Sequence, residues 1–414
     1  LYIPVDQIDL ILKYSSREGH KPTITKLGTN QWANTKKRIK NKLSDLSDRL
    51  LNLYASREEA VGFNFLKDEE MHQEFSSYFE YEETPDQKKA IEVVKEDMES
   101  NKVMDRLICG DVGYGKTEVA LRASFKAVFS NKQVLYLVPT TVLARQHYHT
   151  YKKRFDPFGI TVEMLSRFTT PKEQKEILDK LSKGYVDIVI GTHRVLSNDV
   201  KFKDLGLLII DEEQRFGVEQ KERIKEMKVN VDTLSLSATP IPRTLQMSLV
   251  GLKDLSMIET PPLNRYPIQT YIIKRHNAII KEAILREIAR GGQVFYLYNR
   301  VYDMPLIEKR LQKLVPEARI THAHGKMNRD DLENTISLFI EGEYDVLVST
   351  TIIETGIDIP NTNTLIIHDA DRLGLSQLYQ IRGRVGRSDK IAYAYLMYDE
   401  NKLLKDDAKK RLKT

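Results

Sequence analysis

Residues 106–117 read Arg106-Leu107-Ile108-Cys109-Gly110-Asp111-Val112-Gly113-Tyr114-Gly115-Lys116-Thr117. The first five form an apolar run of strand character. The eight from Gly110 to Thr117 fit a phosphate-binding loop at every position, and the stretch after them has the pattern of a helix. Glycines let backbone N–H groups turn inward around a phosphate, and the helix N-terminus adds partial positive charge. In such a loop Lys116 reaches the β- and γ-phosphates and the Thr117 hydroxyl ligates Mg²⁺. This strand–loop–helix unit predicts a parallel α/β sheet whose ligands gather at its carboxyl edge.

Working outward, further near-continuous apolar runs occur at 133–138, 186–191, 205–211 and 233–239, as expected for parallel strands buried on both faces. A second series follows the proline-containing break at 260–267, with runs at 269–274, 293–299, 318–325, 345–350, 364–369 and 392–398. The pattern predicts two tandem α/β lobes, a first over 61–260 and a second over 261–400, related in layout only. Ahead of them, Ile39, Leu43, Leu46, Leu50 and Tyr54 recur at helical spacing within 31–60. Lys36, Lys37, Arg38, Lys40 and Lys42 crowd the first half of that helix, as a solvated face or as a strut near DNA or a partner. The chain of 414 residues is 41% hydrophobic and 30% charged, with a net charge of +5 that permits a polyanionic partner without demanding one. No apolar run is long enough to cross a membrane. The lone Cys109 excludes an internal disulfide, and a reducing, cytoplasmic setting is expected. Leu1 is no initiator methionine, so the chain reads as a piece of something longer.

Two features narrow the nucleotide reading. Asp211-Glu212-Glu213 ends the run at 205–211, where Asp211 is placed to hold the Mg²⁺ water shell and Glu212 to orient and deprotonate an attacking water. Gln380-Ile381-Arg382-Gly383-Arg384-Val385-Gly386-Arg387 lies on the other lobe. An arginine reaching across a cleft, Arg384 or Arg387, would make hydrolysis depend on lobe closure. Gly356-Ile357-Asp358 is a further candidate to face that cleft. Ser237-Ala238-Thr239 reads either as a relay of nucleotide state or as a capped turn. The pairs His147/His149 and His322/His324 have no nearby third ligand, so packed or solvent-facing histidines are expected rather than a zinc site.

The segments GDVGYGKTE, DEEQRFG, LSATPIPRT, STTIIETGIDIP and QLYQIRGRVGR together resemble the superfamily 2 helicase-type motors. Within them, DEEQRFGVEQKERIK and GDVGYGKTEVALRA are most similar to the bacterial transcription-repair coupling factors, with the fork-reversing helicase RecG as nearest relative. The resemblance implies tandem RecA-like lobes, ATP and Mg²⁺ as cofactors, and a double-stranded-DNA translocase that displaces stalled RNA polymerase and recruits excision-repair proteins, with no membrane partner. A RecG-like branched-DNA helicase is the alternative. It also implies that 1–27 is the end of an RNA-polymerase-interacting domain, 28–60 a linker helix, and 401–414 the start of a translocation hairpin. Gln87 is implied to read adenine with Phe79 or Tyr81 stacking on it, while Gly356, Asp358, Gln380, Arg384 and Arg387 serve the nucleotide. Contacts to DNA phosphates are implied for Pro139-Thr140-Thr141, Ser166-Arg167 and Gly191-Thr192-His193 in the first lobe. In the second they are implied for Asn299, His324-Gly325 and Thr350-Thr351. Small polar residues at strand ends suit backbone contact rather than base reading.

Overall fold

Two parallel sheets account for the strands of the described residues, which in this computed structural model are 61–166, 169–238, 254–262, 268–351, 359, 361–386 and 390–399. The expectations for 1–27, 28–60 and 401–414 lie outside them.

The first lobe runs α1 (Glu70–Ser77), α2 (Pro85–Met98), β1 (Asp105–Gly110), α3 (Lys116–Phe129), β2 (Gln133–Leu137), α4 (Thr141–Phe155) and β3 (Val162–Leu165). It continues through α5 (Pro171–Lys183), β4 (Ile188–Gly191), β5 (Leu205–Asp211), α6 (Val218–Met227), β6 (Asp232–Ser237) and β7 (Asp254–Ile258). The sheet order is β3-β4-β2-β5-β6-β1-β7, with every pairing parallel. All carboxyl ends therefore share one edge. Edge strands β3 and β7 escaped the sequence reading because Val162–Leu165 and Asp254–Ile258 are short and only partly buried, not continuous apolar runs.

The second lobe runs β8 (Gln269–Lys274), α7 (Asn277–Ala289), β9 (Gln293–Leu297), α8 (Met304–Leu314), β10 (Ile320–Ala323) and α9 (Arg329–Ile340). It ends with β11 (Val346–Ser349), β12 (Thr362–Ile367), α10 (Leu375–Arg382) and β13 (Tyr393–Tyr398). Its order is β10-β11-β9-β12-β13-β8, again all parallel.

Alternation along the central strands feeds two cores per sheet. On β5, Leu207 and Ile209 join the cluster of Val94, Phe125 and Tyr151, while Leu208 and Ile210 join that of Ile177, Leu181 and Ile224. Each such side chain contributes about 1.5–3 kcal/mol through burial. In the second lobe Phe295 and Leu297 face one cluster and Val294 and Tyr296 the other.

Segment 61–83 is fastened across α3 by charges at helical spacing. Lys126, fully buried, donates to Leu66 O (2.8 Å), Asp68 Oδ1 (2.9 Å) and Glu99 Oε1 (2.6 Å). Arg122 pairs with Glu83 (2.5 Å) and Glu118 (2.6 Å), and Phe75 stacks on Phe125 at 4.2 Å. Burial pushes the Glu118 carboxyl upward, against the pull of Arg122 and Arg154. The lobes touch where α4 begins: Val142 packs against the second-lobe core, and Arg145 Nη1 donates to Ser337 Oγ at 3.2 Å.

Candidate functional site

The loop after β1 is shaped by glycines at the positions that need them. Gly113 and Gly115 have φ of 80° and 78°, a region costly for residues with a Cβ. Gly110 pairs in register with Ile258 of β7, and a Cβ there would lie 3.0 Å from Ile258 O. Gly115 caps α3, whose first-turn N–H groups face outward as in any helix start. Lys116 Nζ donates to Gly110 O (2.7 Å) and Asp111 O (2.9 Å), so the cation sits within the loop's own curve. Asp111 Oδ1 accepts from Val112 N at 2.7 Å. Thr117 follows on the first turn of α3.

Thr84 caps α2 with Pro85 at its first position. Gln87, buried, closes the box: its Oε1 accepts from Thr84 N (2.9 Å) and its N–H donates to Thr84 Oγ1 (3.3 Å). Its Nε2 donates to Tyr114 O at 2.9 Å, tying α2 to the glycine loop. A Cβ on Gly115 would collide with that amide. Phe79 and Tyr81 meet edge to face, centroids 5.6 Å apart, and line an open cleft of about 580 Å³ with Ser76, Glu83 and Lys88. The Arg154 guanidinium lies 4.8 Å from the Phe75 ring and 5.9 Å from that of Phe79.

At the end of β5, Glu212 adopts φ 53°. A non-glycine residue held there stores backbone strain of order 1–3 kcal/mol, which the surroundings must hold in place. Glu212 N donates to Leu236 O (3.0 Å), and its Oε1 accepts from Ala238 N (3.1 Å). Gln214 Nε2 contacts the other carboxylate oxygen. The side chain is thus aimed by the end of β6 as well as by its own strand. Asp211 Oδ2 lies 3.7 Å from His147 Nε2, which is 3.4 Å from Tyr136 Oη. Burial raises the Tyr136 phenol well above its ordinary range. His147 is thus packed in the core and His149 is exposed, as expected of that pair. His147 is a neighbour of Asp211 that sequence reading missed, since 64 residues separate them. Cys109 is a buried small side chain.

The strand order separates two sets of residues along this edge. Ser166, Thr192-His193 and Pro139-Thr140-Thr141 follow β3, β4 and β2 on one half. Asp211-Glu212, Ser237-Ala238 and the glycine loop follow β5, β6 and β1 on the other. Thr140 caps α4, accepting from Leu143 N at 3.3 Å. Thr141 and Thr192 each carry a buried Oγ1 with no partner among the described residues, and His193 is exposed. Arg167 lies outside the described residues.

In the second lobe, His324-Gly325, Thr350-Thr351 and Asn299 follow the adjacent strands β10, β11 and β9. Asn299 Oδ1 accepts from Thr351 N at 3.2 Å. His324 Nδ1 is buried without a partner among the described residues; burial, then neighbouring His322, holds its pKa below the usual value. Arg384 is buried just past α10, its N–H donating to Ile381 O at 3.0 Å. Gly356, Asp358, Arg387, Thr239 and the side chain of Gln380 lie outside the described residues.

Residues 84–248 match the DEAD/DEAH box helicase family, and residues 275–389 the helicase conserved C-terminal domain. The chain is 58% identical over 412 residues to the transcription-repair-coupling factor of Bacillus subtilis, covering 100% of this chain and 35% of that protein. Against the same factor of Staphylococcus aureus it is 55% identical over 412 residues, with 100% and 35% covered. It thus spans about a third of the length of these curated relatives. Among solved structures it is similar to RecG bound to a three-way DNA junction, with TM-score 0.75, 36% identity, and 87% of this chain and 48% of that one covered. The helicase MrfA bound to DNA and AMPPNP, at 19% identity and TM-score 0.63, covers 83% of this chain and 52% of its own and shares the fold. No helix among the described residues is long and apolar enough to cross a membrane.

Proposed function

We propose that this chain, 55–58% identical along its length to transcription-repair-coupling factors, is the ATP-hydrolysing, double-stranded-DNA-translocating motor of such a protein. The observation that carries this is the strained Glu212, aimed by Ala238 across the β5–β6 boundary beside a complete glycine loop on β1. In this reading the first-turn N–H groups of α3 and the Lys116 ammonium hold the β- and γ-phosphates, Lys116 exchanging its carbonyl partners for phosphate oxygens. Gln87 keeps the loop registered on α2 while Phe79 or Tyr81 provides the adenine platform. Glu212 orients the attacking water and takes its proton.

The donor set fits Mg²⁺. β5 and β1 are two strand spacings apart, about 10 Å, so Asp211 and Thr117 follow strand ends close enough to share one cation. No three His, Cys, Asp or Glu side chains converge among the described residues. A hard cation would therefore depend on phosphate and water for most of its shell, as Mg²⁺ does. When bound, it neutralises charge developing on the transferring phosphoryl group. Arg384 and Arg387 complete that neutralisation from the second lobe, with Gln380, Gly356 and Asp358 lining the nucleotide.

Duplex phosphates lie along the other half of the edge, over Thr140, Thr141, Ser166, Arg167, Thr192 and His193. The second lobe adds Asn299, His324, Gly325, Thr350 and Thr351. Unpaired buried hydroxyls there support the reading, because an unmet polar group costs about 1–3 kcal/mol and an arriving phosphate satisfies it. In the intact protein this motor pushes stalled RNA polymerase and recruits excision repair. The likeness to RecG supports a second reading, strand separation at branched DNA.

ATP hydrolysis is measured with no DNA, single-stranded DNA and duplex DNA across salt concentrations. Stimulation by duplex that falls steeply with salt is expected, from loss of phosphate contacts; equal turnover in all three sinks the translocase reading. Displacement of a third strand from triplex DNA distinguishes translocation from fork unwinding.

A further inference from the structure

The peptide leaving β7 begins the connection to the second sheet, and it is held at its first two residues. Asp86 Oδ2 accepts from Glu259 N (2.9 Å), Thr260 N (2.7 Å) and Thr260 Oγ1 (2.8 Å). These bonds span 173 and 174 residues of chain. Asp86 is the second residue of α2 and the immediate neighbour of Gln87, whose amide is bound to Tyr114 O of the glycine loop. From the other side, Ile258 pairs in register with Gly110, where that loop starts. The exit of β7 is therefore clamped to the loop twice, once through the sheet and once through a single turn of helix.

We propose that Asp86 is a positioning residue that locks the start of the interlobe connection to the helix turn holding the phosphate loop, so that nucleotide at the loop and the path of the connection change together. The proposal rests on the nucleotide reading above. A carboxylate suits the task because one oxygen accepts three donors converging from a bend, which an aliphatic side chain cannot do. The same bonds, the Thr260 hydroxyl first, hold the Asp86 carboxyl below its ordinary pKa. Asp86 is half-buried, lies on α2 outside both sheets, and touches no reacting group.

Amide hydrogen exchange on the whole chain, with and without Mg²⁺ and a non-hydrolysable ATP analogue, tests this. In Asp86→Ala, the Glu259 and Thr260 amides exchange about tenfold faster than in the wild type. In the wild type the analogue alters their exchange; in Asp86→Ala it binds but leaves them unaltered. Asp86→Asn, which keeps an acceptor oxygen, falls between. The ratio of duplex-stimulated to unstimulated turnover drops about tenfold in Asp86→Ala, a typical coupling magnitude. If the wild type binds the analogue and the variant's amides respond just as the wild type's do, the proposal fails alone. If the wild type binds no analogue, the nucleotide reading fails and takes the proposal with it.

Discussion

In strand order the two sheets correspond, β3-β4-β2-β5-β6-β1 with β10-β11-β9-β12-β13-β8, and β7 is an addition to the first. The correspondence reaches individual side chains. Gln133 opens β2 and donates to Leu181 O (2.9 Å) and Val186 O (2.8 Å); Gln293 opens β9 and donates to Phe339 O (2.5 Å) and Tyr344 O (2.8 Å). Asp187 accepts from Thr161 N and Asp345 from Arg319 N, each at 2.8 Å. The likeness between lobes, expected from sequence to be one of layout only, is therefore deeper than expected. Both lobes have a buried amide that ties a central strand to a helix, and a half-buried carboxylate that joins the starts of two adjacent strands.

The lobes part company at the strand ends. Ile210 pairs with Leu137 and Ile367 with Leu297, which makes Asp369 the counterpart of Glu212. Asp369 is enclosed by Arg275 (3.0 Å), Arg300 (3.1 Å) and Arg372 (3.6 Å). Glu212 has no cation paired with it among the described residues and is held by an amide and a backbone N–H on a strained φ. One carboxylate is charge-balanced in place by guanidinium groups, and the other is held only by neutral donors among the described residues. His368, the counterpart of Asp211, is bonded to Tyr296 Oη at 2.6 Å and pushed down to about 4 by burial, so it is neutral and structural. A shared fold leaves chemistry to be decided residue by residue at its edge.

The sharpest way to break this contrast separates gripping from completing. Arg387→Ala is expected to retain nucleotide binding and slow hydrolysis about 10³–10⁵-fold, while Lys116→Ala loses binding itself. Equal loss of binding in the two, measured by titration with a fluorescent ATP analogue, would end that division of labour. Next in size, Glu212→Gln should lower turnover about 10²–10⁴-fold at unchanged nucleotide affinity. Asp369→Asn should lower the unfolding midpoint, stranding its arginines, and leave turnover within a few-fold. Turnover lost equally in both would erase the distinction between the two positions. The smallest effects sharpen the likeness: Gln133→Ala and Gln293→Ala should each destabilise by about 1–3 kcal/mol, read by denaturant unfolding. A cost confined to one lobe would show that the paired devices are not equivalent.

Contiguous stretches carried most of what was legible beforehand. The glycine loop, the acid pair and the central strands are each written in consecutive residues, so spacing and apolar runs revealed them. Edge strands β3 and β7 were not, because an edge strand need not be apolar on both faces. The amide of Gln87 was assigned to adenine through resemblance, whereas its two ends are engaged by Thr84 and Tyr114. Nothing local announces that use, since the Tyr114 carbonyl is 27 residues away.

By itself the sequence determined the chemical inventory and the parallel architecture: a lysine and threonine on a glycine turn, acids at a strand end, and runs that must be buried on both sides. Only the tertiary structure decided that Glu212 is strained and aimed from β6, and that Asp86 holds a peptide 173 residues distant. It alone decided that Asp369 is silenced by arginines. The reason is range. Turn and strand preferences act over a few residues, whereas these relations exist only once sheet order has set distant strand ends side by side.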